Sequence, residues 1–491
     1  MDDGGSLLGA LRDHFGNKSV KDGCSPQGQC GCCTVLIDDA PRVACVTPLR
    51  RVASRAVTTV DGLTEQERLR WADAFLAHGA SQCGFCTPGI VCRLVGHERK
   101  GADLEDRETV DRLLAAHLCR CTGWQTIREA AAEVSVEYPQ RNLELASSQA
   151  SLEAGTHQIV GPEVVLGEVV FADDKPPDQA LVAARNDDQW VIGETLHQAR
   201  ERAGKIQGRR TSLEPRSPLD VPEGDWAITL RTGWVEPAYL ETDASWCEPF
   251  GEPSNPTANG GAFGGKADSD VAEQAKFLAR ENGLPVRVLW SREDAIRYGS
   301  KRPPLSAGLR ADGSGVVRVA RTTGVAEVIQ SVLPACEVEQ IEIPGPPTSL
   351  ALRAAGWAEA EMLRVGLQGQ NDWVQAPSRA RAKAEVDQEL IRIKVDSGTP
   401  LDWVVFRSYC IGAAHMAYSW VTSESLSVDE LGEVQDLTIR SFGVLRSSDT
   451  PHIEVVSVGE GEVLAAGDAV FAAVAAATWL NRGCPPDLPT G

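Results

Sequence analysis

Cys24, Cys30, Cys33 and Cys45 stand at intervals that can close on one inorganic centre, and Cys83, Cys86, Cys119 and Cys121 form a second such set. In the first set three thiols crowd a short loop and the fourth lies on the strand that follows. In the second, the pairs in QCGFC and CRC sit near the ends of two helices. Four thiolates hold either a two-iron cluster or a structural zinc ion. Gly28 and Gly31 in GQCGCC let the backbone wrap closely and turn N–H groups toward sulfur. Two cysteines stand outside the sets. Cys32 reads as a small buried side chain, and Cys92, among Ile90, Val91 and Leu94, as helix core.

The crowding argues against a disulfide framework. Ten of the 14 cysteines precede residue 122, and Cys247, Cys336, Cys410 and Cys484 are scattered singly. The start, MDDGGSLLGALRDHF, has no basic stretch leading into an apolar one, so no export signal is expected. The chain therefore reads as cytoplasmic, where thiols stay reduced. No apolar run approaches the length of a membrane span. The formal net charge is −21, with 17 basic against 19 acidic residues through residue 143, so the acidity lies in the remainder. Such a chain is poorly suited to phosphate backbones, and no nucleic-acid partner is expected. There is no GxxxxGK[ST] loop, no GxGxxG fingerprint and no ligand-spaced histidine pair. The first set has gaps of five, two and eleven residues. That spacing resembles the plant-type iron–sulfur pattern with one extra residue, and a loop set followed by a helical set favours iron over zinc.

Elements must then position these thiols. The chain has 491 residues, 42% hydrophobic and 24% charged, enough for several domains with cores. Helical spacing runs through Ser6–Phe15, Thr87–Gly96, Asp106–Cys119 and Thr126–Tyr138, with Thr87 at a cap and Pro88 in the first turn. TVLIDDAPRVACV reads as two short strands around a turn at Asp38–Pro41. The polar stretch Pro139–Gln158 reads as a linker. Beyond it, β-rich runs such as QIVGPEVVLGEVVF and SGVVRVARTTGVAEVIQ alternate with helical ones such as ETLHQARERAGKI and GDAVFAAVAAATWL, a mixed α/β pattern.

From Leu7 to Ala131 the chain resembles the two-cluster part of the molybdenum hydroxylases, the xanthine dehydrogenase and aldehyde oxidoreductase family. The words that carry the likeness are LLGALRDHFGNKSVKDGC, GQCGCCTVLIDD, GASQCGFCTPGIV and HLCRCTGWQTIREA. The resemblance implies an α+β multidomain fold. A β-grasp ferredoxin-like [2Fe–2S] domain would span 1–75 and a four-helix-bundle [2Fe–2S] domain 76–140. A linker over 141–158 would lead into a shortened, mixed α/β molybdopterin-binding-type region over 159–491. Each cysteine set would hold one cluster, the helical one nearer the molybdenum, and Gln82 would touch the pterin. Family members usually begin with a β-hairpin before the SLLGALR helix. Here the β-grasp sheet is expected to lack strands and to leave an unpaired edge.

Later stretches resemble the family's molybdenum part in order: Gly167–Arg185, Val191–Lys205, Val235–Trp246, Asn259–Val271, Pro285–Pro304 and Val456–Thr478. In GGAFGG the likeness implies that Gly260, Gly261, Phe263, Gly264 and Gly265 approach a molybdenum–pterin cofactor of the dinucleotide form; taken alone, the motif reads as an ordinary glycine-rich turn. Glu460, in VGE, would be the general base, its carboxyl raised by apolar surroundings; an exposed turn is the other reading. Glu241 lines the pocket or caps a neighbour. The implied activity is hydroxylation of an aldehyde or N-heterocycle with oxygen from water, electrons leaving singly through two [2Fe–2S] clusters. No AFRGFG-like or GGSR-like stretch is present, GLQGQ (Gly366–Gln370) is a faint match to a cofactor motif, and no flavin domain follows. The implied partners are a small-molecule substrate, an electron acceptor protein or flavin subunit, and a second molybdenum-binding chain, in an oligomer. The alternative is a non-catalytic electron-transfer and assembly subunit that docks such a chain.

Overall fold

The computed structural model describes residues 5–205, 208, 211–257, 259–387 and 389–491. The hairpin expected around Asp38–Pro41 is β1 (Thr34–Ile37) paired antiparallel with β2 (Ala40–Val43). Asp38 and Asp39 take φ of 48° and 58°, the two-residue turn whose twist matches that of the strands. The short β3 (Val57–Thr58) completes a three-stranded sheet in the order β2-β1-β3. Ser6 caps a helical turn over Leu7–Gly9, which continues as a π-turn through His14.

Four helices follow: α1 (Glu65–His78), α2 (Thr87–Glu98), α3 (Arg107–Leu114) and α4 (Gln125–Ala132). They close over Trp71, Phe75, Ile90, Val91, Leu94, Trp124 and Ile127, all buried. The α+β architecture is as expected, but several limits move. A capping box between Thr64 and Glu67 starts α1, which crosses the domain limit drawn at residue 75. Cys86, not Thr87, is the cap of α2, with Pro88 in its first turn. Helix α3 stops at Leu114, so Cys119 lies in a loop rather than at a helix end. Cys45 sits on a 3₁₀ turn, Ala44–Val46, just past β2 rather than on the strand.

The stretch read as a linker carries α5 (Leu143–Ala154), capped by Asn142. Ala146, Gln149, Ala150 and Glu153 form its buried stripe at helical spacing. QIVGPEVVLGEVVF, read as β-rich, forms a single helical turn at Pro162–Val165 and no strand. Proline at the first helical position favours that turn over a strand.

The remainder holds β4 (Leu181–Asn186), β5 (Gln189–Gly193), β6 (Ile228–Arg231), β7 (Ala244–Cys247), β8 (Val286–Leu289), β9 (Leu305–Leu309), β10 (Gly315–Ala320) and β11 (Cys336–Ile341). These make two four-stranded mixed sheets, ordered β5-β4-β8-β7 and β11-β10-β9-β6. A third contains β12 (Val374–Gln375), β13 (Arg381–Val386), β14 (Leu390–Asp396) and β15 (His452–Ser457), in sequence order. Helices α6 (Trp357–Gln368), α7 (Trp403–Thr422) and α8 (Gly467–Asn481) form a layer with it. The sequence of α8 is apolar all round, and it is buried from Gly467 to Trp479 except at Asp468. No helix among the described residues is long and apolar enough to cross a membrane.

Polar pairs join the helical bundle to this larger region. Arg120 grips Glu424 through two hydrogen bonds of 2.5 and 2.8 Å, both side chains buried. Gln125 exchanges bonds of 2.8 and 3.0 Å with the backbone of Ile453, standing in for a neighbouring strand at the edge of β15.

Helix α2 touches the first cysteine loop without a side chain between them. A Cβ on Gly89 would collide with the carbonyl oxygen of Gly31 and lie 2.7 Å from that of Cys32. Gly89→Ala is therefore expected to cost about 1–3 kcal/mol through forced backbone movement. Gly9→Ala, whose Cβ would meet Ser6 Oγ at 3.6 Å, is the matched control. Denaturant titration of both variants should show the unfolding midpoint lowered in the first and not in the second.

Candidate functional site

All eight cysteines of the two sets are buried, free thiols. In the first set the Cys30 and Cys45 thiols hydrogen-bond to Cys24 and hold it well below the ordinary thiol range, with help from the N–H groups of Gln29 and Gln27. The N–H of Cys45 points at Cys33 Sγ, 3.4 Å away. The second set meets as two pairs. Cys121 Sγ lies 3.5 Å from Cys83 Sγ. Cys119, hydrogen-bonded by Cys86 and then by Thr122, is pulled down to about 6 despite burial. Each set thus holds one thiol poised as the thiolate that metal binding requires. Among the described residues no three His, Cys, Asp or Glu side chains close on a single-ion site.

Cys32 is buried with its thiol hydrogen-bonded to that of Cys30, and Cys92 lies inside α2. The sets are tied together: Leu118 N–H, one residue before Cys119, donates to the Cys30 carbonyl at 3.0 Å.

A cavity of about 380 Å³ opens beside the second set. Gln82, Cys83 and Cys121 form one wall, and Gly260, Gly261, Phe263 and Gly264 another. Residues widely separated in sequence are thus brought to one place. Four of the loop's residues take positive φ, at 72° for Gly260, 80° for Gly261, 50° for Phe263 and 85° for Gly264. A Cβ on Gly261 would lie 2.8 Å from Cys83 Sγ, so the close approach needs glycine. The N–H groups of Gly261, Ala262, Phe263 and Gly264 find no acceptor among the described residues. A run of free N–H groups of this kind cradles an anion.

Several residues that build the cavity escaped sequence reasoning. Asn259 Nδ2 donates to the Cys83 carbonyl at 2.8 Å, and Gln158 Nε2 to the Asn259 carbonyl at 2.6 Å. Tyr409 donates to Gln158 Oε1. Gln82 Nε2 is engaged by the Cys121 carbonyl and by Ser408, at 3.0–3.1 Å. Of these, Gln82 is the residue expected from the sequence to touch the cofactor and Asn259 stands in the NGGAFGGK stretch, while Gln158, Tyr409 and Ser408 carry no local signal.

Glu460 is not in the cavity. It stands exposed on the turn after β15, and the expectation of a buried carboxyl there is corrected. Nothing apolar encloses that turn: Val458 is 51% exposed beside it. The buried carboxylate at the start of α8 is Glu153 of α5, 6% exposed. It accepts from Ala466 N at 3.0 Å, Gly467 N at 3.3 Å and Gln149 Nε2 at 3.1 Å. Burial pushes it up to about 7, against the pull of those donors and Arg353. Arg353 in turn stacks over Phe263, 4.9 Å from the ring centre. Glu241 is buried and paired with Lys266 at 2.7 Å, accepting also from Ala172 N.

Residues 59–132 match the [2Fe-2S] binding domain family. The chain is 39% identical over 146 residues to an aldehyde oxidoreductase of Megalodesulfovibrio gigas, covering 28% of this chain and 16% of that protein. It is 37% identical over 132 residues to the nicotinate dehydrogenase small FeS subunit of Eubacterium barkeri, covering 27% of this chain and 82% of that subunit. The chain belongs to the molybdenum hydroxylase family. The fold of the chain is similar throughout to that of the aldehyde oxidoreductase from Desulfovibrio gigas. The TM-score is 0.71 at 13% identity, with 100% of this chain and 97% of that chain covered. In sequence, however, the match spans less than a fifth of the long relative and most of the small subunit.

Glu153 gives the chain a pH signature. Its carboxyl titrates near 4.3 when unfolded and at about 7 when folded. A raised carboxyl contributes stability that is fully present below the unfolded value and lost as pH rises through the folded one. Glu153→Gln, neutral throughout, escapes that loss. Its stability relative to the parent chain should therefore rise by about 3 kcal/mol between about pH 4 and about pH 8, read from unfolding midpoints.

Proposed function

We propose that the chain is a molybdenum- and iron–sulfur-dependent oxidoreductase. It hydroxylates an aldehyde or an N-heterocycle with oxygen from water and passes the electrons out through two [2Fe–2S] clusters. One observation carries the reading: Cys83 and Cys121 of the second set line the same cavity as the glycine loop. Cys24, Cys30, Cys33 and Cys45 would hold one cluster and Cys83, Cys86, Cys119 and Cys121 the other, as buried all-thiol donor sets favour. Gln82, Gly260, Gly261, Phe263 and Gly264 would hold a molybdenum–pterin, whose anionic groups suit the unsatisfied N–H run. When bound, that group supplies two-electron oxidation and oxygen transfer.

The chain's own residues do the rest. Buried Asn259 and Gln158 fix the glycine loop against Cys83, so cofactor and cluster ligand stay in register. Buried Glu153 holds a proton near neutral pH against the charge of Arg353, which stacks over Phe263. Electron removal needs an acceptor protein or a flavin subunit as partner.

A second reading is an electron-transfer and assembly subunit that docks a separate molybdenum-binding chain. The exposure of Glu460 favours it, as does the 82% coverage of a small FeS subunit. Metal and pterin analysis of the purified chain separates the two. The first reading expects about four irons and four acid-labile sulfides with one molybdenum and one pterin; the second expects the irons alone. Zinc in place of iron would refute both.

A further inference from the structure

Arg292, at the start of the short helix Arg292–Tyr298, is 0% exposed. Its Nη2 donates to the carbonyl of Gly23 at 2.6 Å and to that of Leu240 at 2.7 Å. Nε and Nη1 have no hydrogen-bond partner among the described residues. No carboxylate of a described residue stands within ion-pair distance of the guanidinium either. The two acidic residues nearest in the chain are engaged elsewhere, Glu293 with Arg297 at 3.3 Å and Asp294 with Lys205 at 2.6 Å. Asp243 takes the hydroxyl of Tyr239 at 2.5 Å, and the ring of that tyrosine is 5.7 Å from the guanidinium. A buried charge with no opposite charge is expensive, and Arg120, Lys301 and Arg302 all avoid that cost by pairing.

Across Gly23 lies the first cysteine set. Gly23 precedes Cys24, and a Cβ added to it would lie 3.1 Å from Cys30 Sγ and 3.0 Å from Cys32 Sγ. A single glycine thus separates the guanidinium from the thiols, which places Nη2 within about 9 Å of Cys30 Sγ. Asp22, on the other side of Cys24, is matched by Arg200 at 3.5 Å, so Arg292 is left as the unmatched charge beside the loop. We propose that Arg292 is the counter-charge of the first cysteine set and sets the potential at which a centre held there takes up its electron. The inference rests on the reading of that set as a [2Fe–2S] site. Two ferric ions, two sulfides and four thiolates sum to two negative charges; one-electron reduction turns one ferric ion ferrous and adds a third. A fixed cation in a low-dielectric surrounding favours the more negative state and raises the potential. The two carbonyl bonds hold the guanidinium in place, so its field is the same before and after reduction.

The test is a potentiometric titration with dithionite of the full chain, reconstituted with iron and sulfide, followed by electron paramagnetic resonance. The signal that Cys45→Ser alters marks the first centre. Arg292→Gln should lower the equilibrium constant for reducing that centre at least about tenfold, a shift of about 59 mV for one electron. Arg292→Lys, which keeps the charge, should stay within about threefold of the parent. The second centre should move less than the first in both variants. An unchanged or raised potential in Arg292→Gln would overturn the proposal, as would equal shifts at both centres. If Arg292→Gln does not assemble, Arg292→Lys decides alone: a potential near the parent's supports the assignment, and a tenfold loss with the charge still present overturns it. A purely structural arginine would change the unfolding midpoint and leave the potential where it was. Failure of the underlying reading shows earlier and separately, as absence of one of two paramagnetic signals in the parent chain.

Discussion

The hydrogen bond from Asn259 Nδ2 to the carbonyl of Cys83, 2.8 Å long and buried, joins the two halves of the molecule at the point where they share a cavity. Losing either partner would leave a buried polar group unmatched, at a cost of about 1–3 kcal/mol. Gly261 works with it. With no side chain and a left-handed backbone, it lets the loop rest on Cys83 Sγ. The bond and the glycine set how closely the loop can lie to the thiol, and the rest of the cavity wall is hung from them. Gln158, Tyr409 and Ser408 then brace the wall from α7 and the segment after α5.

Charged pairs hold the surroundings rigid. Arg120 with Glu424, Arg302 with Glu359 and Lys301 with Glu236 are each buried on both sides. Taking such charges out of water is expensive, and their net contribution to stability is small. What they fix is register, since a misaligned pair would leave a bare charge inside. Arg302 also stacks 4.1 Å from the Trp420 ring centre, which in turn stacks on Phe471 at 5.5 Å. The wall of the cavity is therefore continuous with the helical layer behind it, and movement at Phe263 would have to be passed through packed rings.

The cysteine sets were legible in the sequence because ligation dictates both residue type and short-range spacing. The hairpin at Asp38–Asp39 was legible for a similar reason: the turn is made by adjacent residues. Helix α1 was not, since it buries only Trp71, Ala72, Ala74 and Phe75, and its other positions carry no apolar stripe. Helix α5 was missed because its buried face uses alanine, glutamine and glutamate. Those types are core here because α7 and the start of α8, far along the chain, come to cover them. The glycine loop was legible as a motif, but its bonding to Cys83 was a long-range fact that no local pattern encodes.

The two glutamates show the same limit in electrostatic terms. Glu460 lies in the motif that precedes α8, and its position in the sequence suggested burial. Glu153 comes from α5 yet ends on the first N–H groups of α8. The N-terminus of a helix favours negative charge, which should lower its carboxyl. Removal from water raises it, and the raised value shows that desolvation outweighs two backbone donors, Gln149 and Arg353 together. A carboxyl under those opposed pulls changes charge near neutral pH for a small change in surroundings. The capacity to hold or release a proton beside the cavity thus follows from which glutamate is buried, and the long-range packing of α5 decides that.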